Sequence, residues 1–172
     1  PGQSWGLSHL FEHLLFKGTA KYPNAVDLSR TVNKIGGNFN AFTDNERTAY
    51  YITVGKKYAQ RAIRVLSQMI CHPLVLIDDF VKEKGAVIEE LRREEDNPTS
   101  DIWNVTMEHL YQGQFGKNIG ATVESVQHLD PRVMLNFFHT HYTPENMVIG
   151  VAGDVAFDDV QQWLDHYFQW PV

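Results

Sequence analysis

The sequence predicts an α+β fold in which several amphipathic helices pack with a mixed or antiparallel sheet. Three observations carry that expectation. Apolar residues recur at helical spacing along most of the chain, two β-rich runs flank a short polar turn, and no repeat, low-complexity tract or linker interrupts the pattern. With 172 residues, 43% hydrophobic and 21% charged, the chain is long enough to bury a core as a single domain spanning 1–172.

From residue 6 to 16, Leu7, Leu10, Phe11, Leu14 and Leu15 form a helical stripe that stops near Gly18. A second helix is expected over 24–35, with Val26, Leu28, Val32 and Ile35 apolar and Gly36-Gly37 as its stop. Residues 38–43 alternate, 47–54 are rich in Thr, Tyr, Ile and Val, and Asp44-Asn45-Glu46 reads as the turn of a hairpin. Helices follow over 57–71, ended by Pro73, and over 78–95, opened by an Asp78 cap and ended by Asn97-Pro98. A helix over 99–111, an ordered loop over 112–122 and short helices at 123–127 and 131–139 come next. A strand over 147–152 and a closing helix over 155–168 complete the series.

Charge and composition exclude several classes of function. Fifteen Lys and Arg against 21 Asp and Glu give a net charge of -6, so no global basic field draws a nucleic acid or an anionic membrane. No apolar run approaches the roughly 20 residues that cross a bilayer, so a soluble chain without a membrane span is expected. Cys71 is the one cysteine, so neither an internal disulfide nor a cysteine-built zinc cage can form. The chain opens Pro1-Gly2-Gln3 with no Met and no signal-type segment, which suggests a fragment or a processed form.

The chemistry concentrates in His9-Leu10-Phe11-Glu12-His13. At about 100° per residue, His9, Glu12 and His13 share one arc of the first helix, opposite its leucines. Imidazoles at i and i+4 can each give a nitrogen to one Zn²⁺, and a carboxylate beside them can take a proton from water. This is the His-x-x-Glu-His order of the inverzincins. A catalytic zinc needs a third protein ligand. The helix over 78–95 offers carboxylates: against a core face of Phe80, Val81, Val87, Ile88 and Leu91, helical rotation puts Glu83, Glu90 and Glu94 in one sector and turns Glu89 away. Glu83 and Glu90 lie two turns apart on nearly one line, so one can ligate while the other orients a ligand.

Other signals are blander. His139 and His141 are two apart and share no helix face, and His72, His109, His128 and His166 lack a partner pattern. Gly36-Gly37 is a helix stop rather than a phosphate loop, since no strand precedes it and no helix opens after it.

The chain resembles the N-terminal catalytic domain of the pitrilysin/insulinase zinc metallopeptidases, in the style of bacterial members and mitochondrial processing peptidases. The resemblance rests on Gly6-Leu7-Ser8-His9-Leu10-Phe11-Glu12-His13-Leu14-Leu15-Phe16-Lys17-Gly18-Thr19, on Gly36-Gly37-Asn38-Phe39-Asn40-Ala41-Phe42-Thr43 and on Glu83-Lys84-Gly85-Ala86-Val87-Ile88-Glu89-Glu90-Leu91. The later segments Ile119-Gly120-Ala121-Thr122-Val123-Glu124-Ser125-Val126 and His141-Tyr142-Thr143-Pro144-Glu145-Asn146-Met147 agree in order.

That resemblance implies a zinc-dependent endopeptidase that hydrolyses peptides or small unfolded polypeptides. In it His9, His13 and Glu90 bind Zn²⁺, Glu12 is the general base that activates a zinc-bound water, and Glu83 supports the metal site. Asn40 and Ala41 fall on an edge strand that pairs with an extended peptide substrate. It further implies strands before the zinc helix and a second homologous domain or subunit that closes over the substrate, so this chain is expected to lack the first strands and that second half, and to be poorly active alone. The family's compartments are the bacterial cytoplasm or periplasm and the mitochondrial matrix. The competing expectation is a non-catalytic peptide-binding or scaffold subunit of the same fold, against which the intact His9, Glu12, His13 and Glu90 argue.

Overall fold

The structure, a computed structural model, describes residues 6–170. Their elements run α1 (Leu7–Leu14), α2 (Ala25–Asn33), β1 (Asn38–Thr43), β2 (Thr48–Thr53), α3 (Ala59–Cys71), α4 (Ile77–Glu95), α5 (Pro98–Leu110), α6 (Val123–Gln127), α7 (Pro131–His141) and α8 (Phe157–Tyr167). The fold is rich in helix, with one small two-stranded antiparallel sheet, β1 paired with β2. The chain gathers into two compact units, each built from separated stretches.

The first unit holds α1, the hairpin tip 42–49 and residues 76–136. Leu7, Leu10, Phe11 and Leu14 of α1 are all fully buried, each apolar side chain contributing about 1.5–3 kcal/mol from leaving water. α1 packs against α4, which buries Phe80, Val87 and Leu91. Lys84 of α4 donates through Nζ to the carbonyls of Gln127 (2.7 Å) and Leu129 (3.2 Å), serving acceptors at and just past the end of α6. α6 itself opens on a reciprocal capping box: the Ser125 amide donates to Thr122 Oγ1 and the Thr122 amide to Ser125 Oγ. Asn97-Pro98 ends α4 and also starts α5, because Asn97 Oδ1 accepts from the Thr99 amide and Pro98 occupies the first turn, where its missing N–H costs nothing.

The second unit holds residues 15–41, 50–75 and the chain from 137 onward. Asn24 caps α2 by accepting from the Asp27 amide, and Gly36 ends the helix region at φ +65°, a conformation that a Cβ disfavours. α3 packs against α8 and α2, burying Ala62, Ile63, Val65 and Met69. Residues 18–20 pair with 72–74 through Ala20 N–H to His72 O and Leu74 N–H to Gly18 O.

Three expectations require correction. Residues 147–152 form no strand, because no described residue supplies a ladder partner. α4 begins at Ile77 with Leu76 as its uncapped flank, so Asp78 and Asp79 lie inside the first turn and act on the helix dipole instead of capping it. Val81 is 61% exposed, so α4 buries a narrower face than the apolar pattern implies. Within the 112–122 loop, Gly113–Gly116 forms a short 3-10 turn.

Candidate metal centre

Burial of the leucine stripe leaves the opposite face of α1 turned to α4, and that pairing creates the site. His9 and His13 are stacked edge to face, with ring centroids 4.9 Å apart and planes at 89°. Both present Nε2 to the same oxygen of Glu90: His9 Nε2 lies 3.7 Å and His13 Nε2 3.6 Å from Glu90 Oε2. One donor atom from each of His9, His13 and Glu90 fits within 4.8 Å.

These separations test whether the residues suit a metal. Ligands about 2.0–2.1 Å from a tetrahedral Zn²⁺ stand about 3.3 Å from one another. The Glu90 oxygen lies a few tenths of an ångström beyond that spacing from each imidazole nitrogen, too far to hydrogen-bond well, and the three atoms suit a zinc donor set that leaves a fourth position open. Side-chain exposures of 16% for His9, 25% for His13 and 44% for Glu90 place the trio at an accessible rim rather than in a sealed interior.

The residues behind the trio differ between its two imidazoles. Glu83, only 12% exposed, places Oε2 3.3 Å from His13 Nδ1, an arrangement that holds a ring and its tautomer. His9 Nδ1 is buried without a hydrogen-bond partner among the described residues. Beside it runs the 118–121 loop: a Cβ at Gly120 would stand 2.7 Å from Leu91 Cδ2 and 3.5 Å from His9 Nδ1, so glycine lets the backbone pass close to Leu91 beside the imidazole. The Gly120 amide donates to Asn118 Oδ1, Asn118 Nδ2 reaches Glu94 Oε2 at 3.4 Å, and Ala121 adopts a left-handed φ of 73°.

Glu12 stands one position before His13, and its Oε2 accepts from the Thr43 hydroxyl at 2.6 Å. Thr43 Oγ1 lies in turn 3.2 Å from Thr48 Oγ1 across the hairpin. Glu89 is exposed and pairs with Arg92, away from the imidazoles. Asn40 and Ala41 belong to the second unit, where Asn40 is exposed with Oδ1 accepting from the Ala41 amide at 2.9 Å, and Ala41 is buried.

The structure thus brings together His9, His13, Glu90 and Glu83, all singled out by sequence, while Glu12, next to His13 in α1, contacts Thr43. It adds Thr43 and the Asn118–Gly120 loop, which the sequence marks only as segments of a resemblance. Cys71 lies outside this cluster, in the second unit, and burial pushes its thiol up to about 12, leaving it protonated and unsuited to metal.

The chain is similar to several known proteins. The zinc protease YmxG of Bacillus subtilis (strain 168), named as uncharacterized, is 33% identical over 166 residues, covering 94% of this chain and 40% of the relative. The beta subunit of the mitochondrial-processing peptidase of Bos taurus is 26% identical over 95% of this chain and 33% of its own length. Among solved structures, a protease from Helicobacter pylori superimposes with a TM-score of 0.92 at 22% identity, over 98% of this chain and 41% of that one. Pitrilysin follows with a TM-score of 0.82 at 24% identity, over 98% and 18%. The chain therefore spans about two fifths of the length of the first of these relatives. Residues 128–169 match the Peptidase M16 inactive domain. Because residues 1–123, more than half of the chain, match the Insulinase (Peptidase family M16) model, the chain belongs to that family.

Proposed function

We propose that these residues form the N-terminal catalytic domain of a zinc-dependent metalloendopeptidase that hydrolyses peptides or small unfolded polypeptides. The observation that carries this reading is the convergence of His9, His13 and Glu90 on one point, with Glu12 adjacent on the same helix. Relatives named zinc proteases support the choice of metal. His9 Nε2, His13 Nε2 and a Glu90 oxygen would hold the ion, and Glu83 faces the His13 ring at Nδ1. When bound, Zn²⁺ supplies Lewis acidity, polarising the scissile carbonyl and lowering the pKa of water.

Glu12 does the proton work. Its carboxylate accepts the proton of the attacking water and returns it to the leaving amine as the C–N bond breaks. The edge of β1 aligns an extended peptide, with Asn40 offering its amide nitrogen and Ala41 its backbone to the substrate. No helix among the described residues is long and apolar enough to cross a membrane. A second homologous half, in cis or as a separate chain, completes the wall around the peptide.

The test is a quenched-fluorescent peptide assay of the full natural chain against its Glu12→Gln form. That substitution keeps zinc and the fold and lowers cleavage by about 10²–10⁴-fold, the range of general-base loss. Turnover at the wild-type rate in Glu12→Gln contradicts the mechanism. Residues 1–172 alone are expected to bind zinc and turn over slowly, with the second half restoring hydrolysis.

A further inference from the structure

We infer that Thr43 is a positioning residue for Glu12, and that its hydroxyl, aligned by Thr48, decides which carboxylate oxygen is left for chemistry. This deepens the peptidase reading and rests on it. The ionised Glu12 carboxylate has no proton to give, so in the 2.6 Å contact with Oε2 Thr43 is the donor. With that proton committed, the 3.2 Å contact between the two threonines is donated by Thr48 to Thr43 Oγ1. The result is a one-way chain of donors from Thr48 through Thr43 into Glu12. A terminal carboxylate rotor is broad and two-fold. A charge-assisted hydrogen bond to one oxygen fixes that rotor and leaves Oε1 to meet a water proton.

The hairpin tip is built to hold this donor still. Residue 43 ends β1 and residue 48 opens β2, so the two hydroxyls face one another across the last rung before the turn. Asp44 closes that turn: Oδ1 accepts from the amides of Glu46 and Arg47 at 2.9 Å each, and Oδ2 accepts from Arg47 Nε at 3.0 Å. The Glu46 amide is the main reason the Asp44 carboxyl titrates below its usual range. The Asp44 amide also donates to Arg47 O at 2.9 Å, and the Arg47 guanidinium lies 5.6 Å from the centre of the Phe42 ring. A rotor carried by a flexible tip selects nothing; this tip is tied by both backbone and side chain.

The experiment uses the full natural chain in four forms: wild type, Thr43→Val, Thr43→Ser and Glu12→Gln, with the Glu12→Gln/Thr43→Val double variant as a cross-check. Thr43→Val is expected to lower kcat for a quenched peptide by between about tenfold and a hundredfold, the scale on which a misplaced catalytic group is felt, with KM and zinc content unchanged. Thr43→Ser, which restores the hydroxyl, recovers most of that loss. In the Glu12→Gln background Thr43→Val costs nothing further, and in the metal-free chain the Tm shifts of the two substitutions fall short of additivity. A merely structural Thr43 instead lowers Tm and zinc content together and costs the same in both backgrounds. Full activity in Thr43→Val beside an inactive Glu12→Gln overturns the positioning role and leaves the peptidase reading standing. Wild-type turnover in Glu12→Gln overturns both.

Discussion

The apolar residues of α1 and those of the stretch 148–152 meet opposite fates. Leu7, Leu10, Phe11 and Leu14 of α1 are fully buried, whereas Val148 is 97%, Ile149 41% and Val151 44% exposed. The difference lies in where each backbone finds its hydrogen bonds. A helix satisfies its amides and carbonyls within its own length, so an apolar stripe needs only a facing surface to be buried. An extended segment needs a neighbouring strand for its N–H and C=O groups, and none of the described residues supplies one for 148–152. An apolar, β-branched run records a preference for a sheet; only a partner makes the ladder.

The largest expected effect that sharpens this contrast is on stability. Phe11→Ala should cost about 3–5 kcal/mol in denaturant unfolding, as for other buried aromatics, whereas Val148→Ala should stay within about 0.5 kcal/mol because its side chain touches mainly water. Comparable losses at both positions would mean that 148–152 is packed in solution.

A smaller effect separates the two imidazoles. Glu83 faces His13 Nδ1 at 3.3 Å, while His9 Nδ1 has no partner among the described residues. Glu83→Gln should therefore weaken zinc by about 10–100-fold in a chelator competition, the usual cost of losing a carboxylate behind a ligating histidine. An unchanged affinity would show that the His13 ring is held by packing alone.

Hydrogen exchange gives the gentlest comparison, since it perturbs nothing. Amides in the middle of α1 and α4 should exchange only through large openings, and those of 148–152 should exchange close to the rate of an open chain. Protection across 148–152 would reveal a ladder partner, for instance in a longer chain or a second subunit.

Legibility in the sequence follows the same division. Helical rotation alone separates Glu90 from Glu89, because a helix fixes side-chain direction from spacing, and the structure turns Glu90 to the imidazoles and Glu89 to Arg92. It equally groups His9, Glu12 and His13. The contact of Thr43 with Glu12 joins residues 31 apart in sequence and depends on how the hairpin tip meets α1 inside the first unit, which no periodicity encodes. The position of Gly120 beside His9 is hidden for the same reason. Val81 fails because a helical wheel shows which residues share a face, not how wide a face the neighbour covers. Asp78 fails because acidic residues serve both as caps and in first turns, and here the backbone starts one residue earlier.

The central claim is that α1 and α4 together hold one zinc ion through His9, His13 and Glu90. Its most direct test is metal content and zinc affinity of the purified chain beside the His9→Ala/His13→Ala double variant, Glu90→Gln and Glu89→Gln. The account predicts one equivalent of zinc in the wild type and in Glu89→Gln, none retained by the double variant, and sharply weakened binding in Glu90→Gln. Undiminished zinc in the double variant, or equal losses from Glu89→Gln and Glu90→Gln, would contradict it.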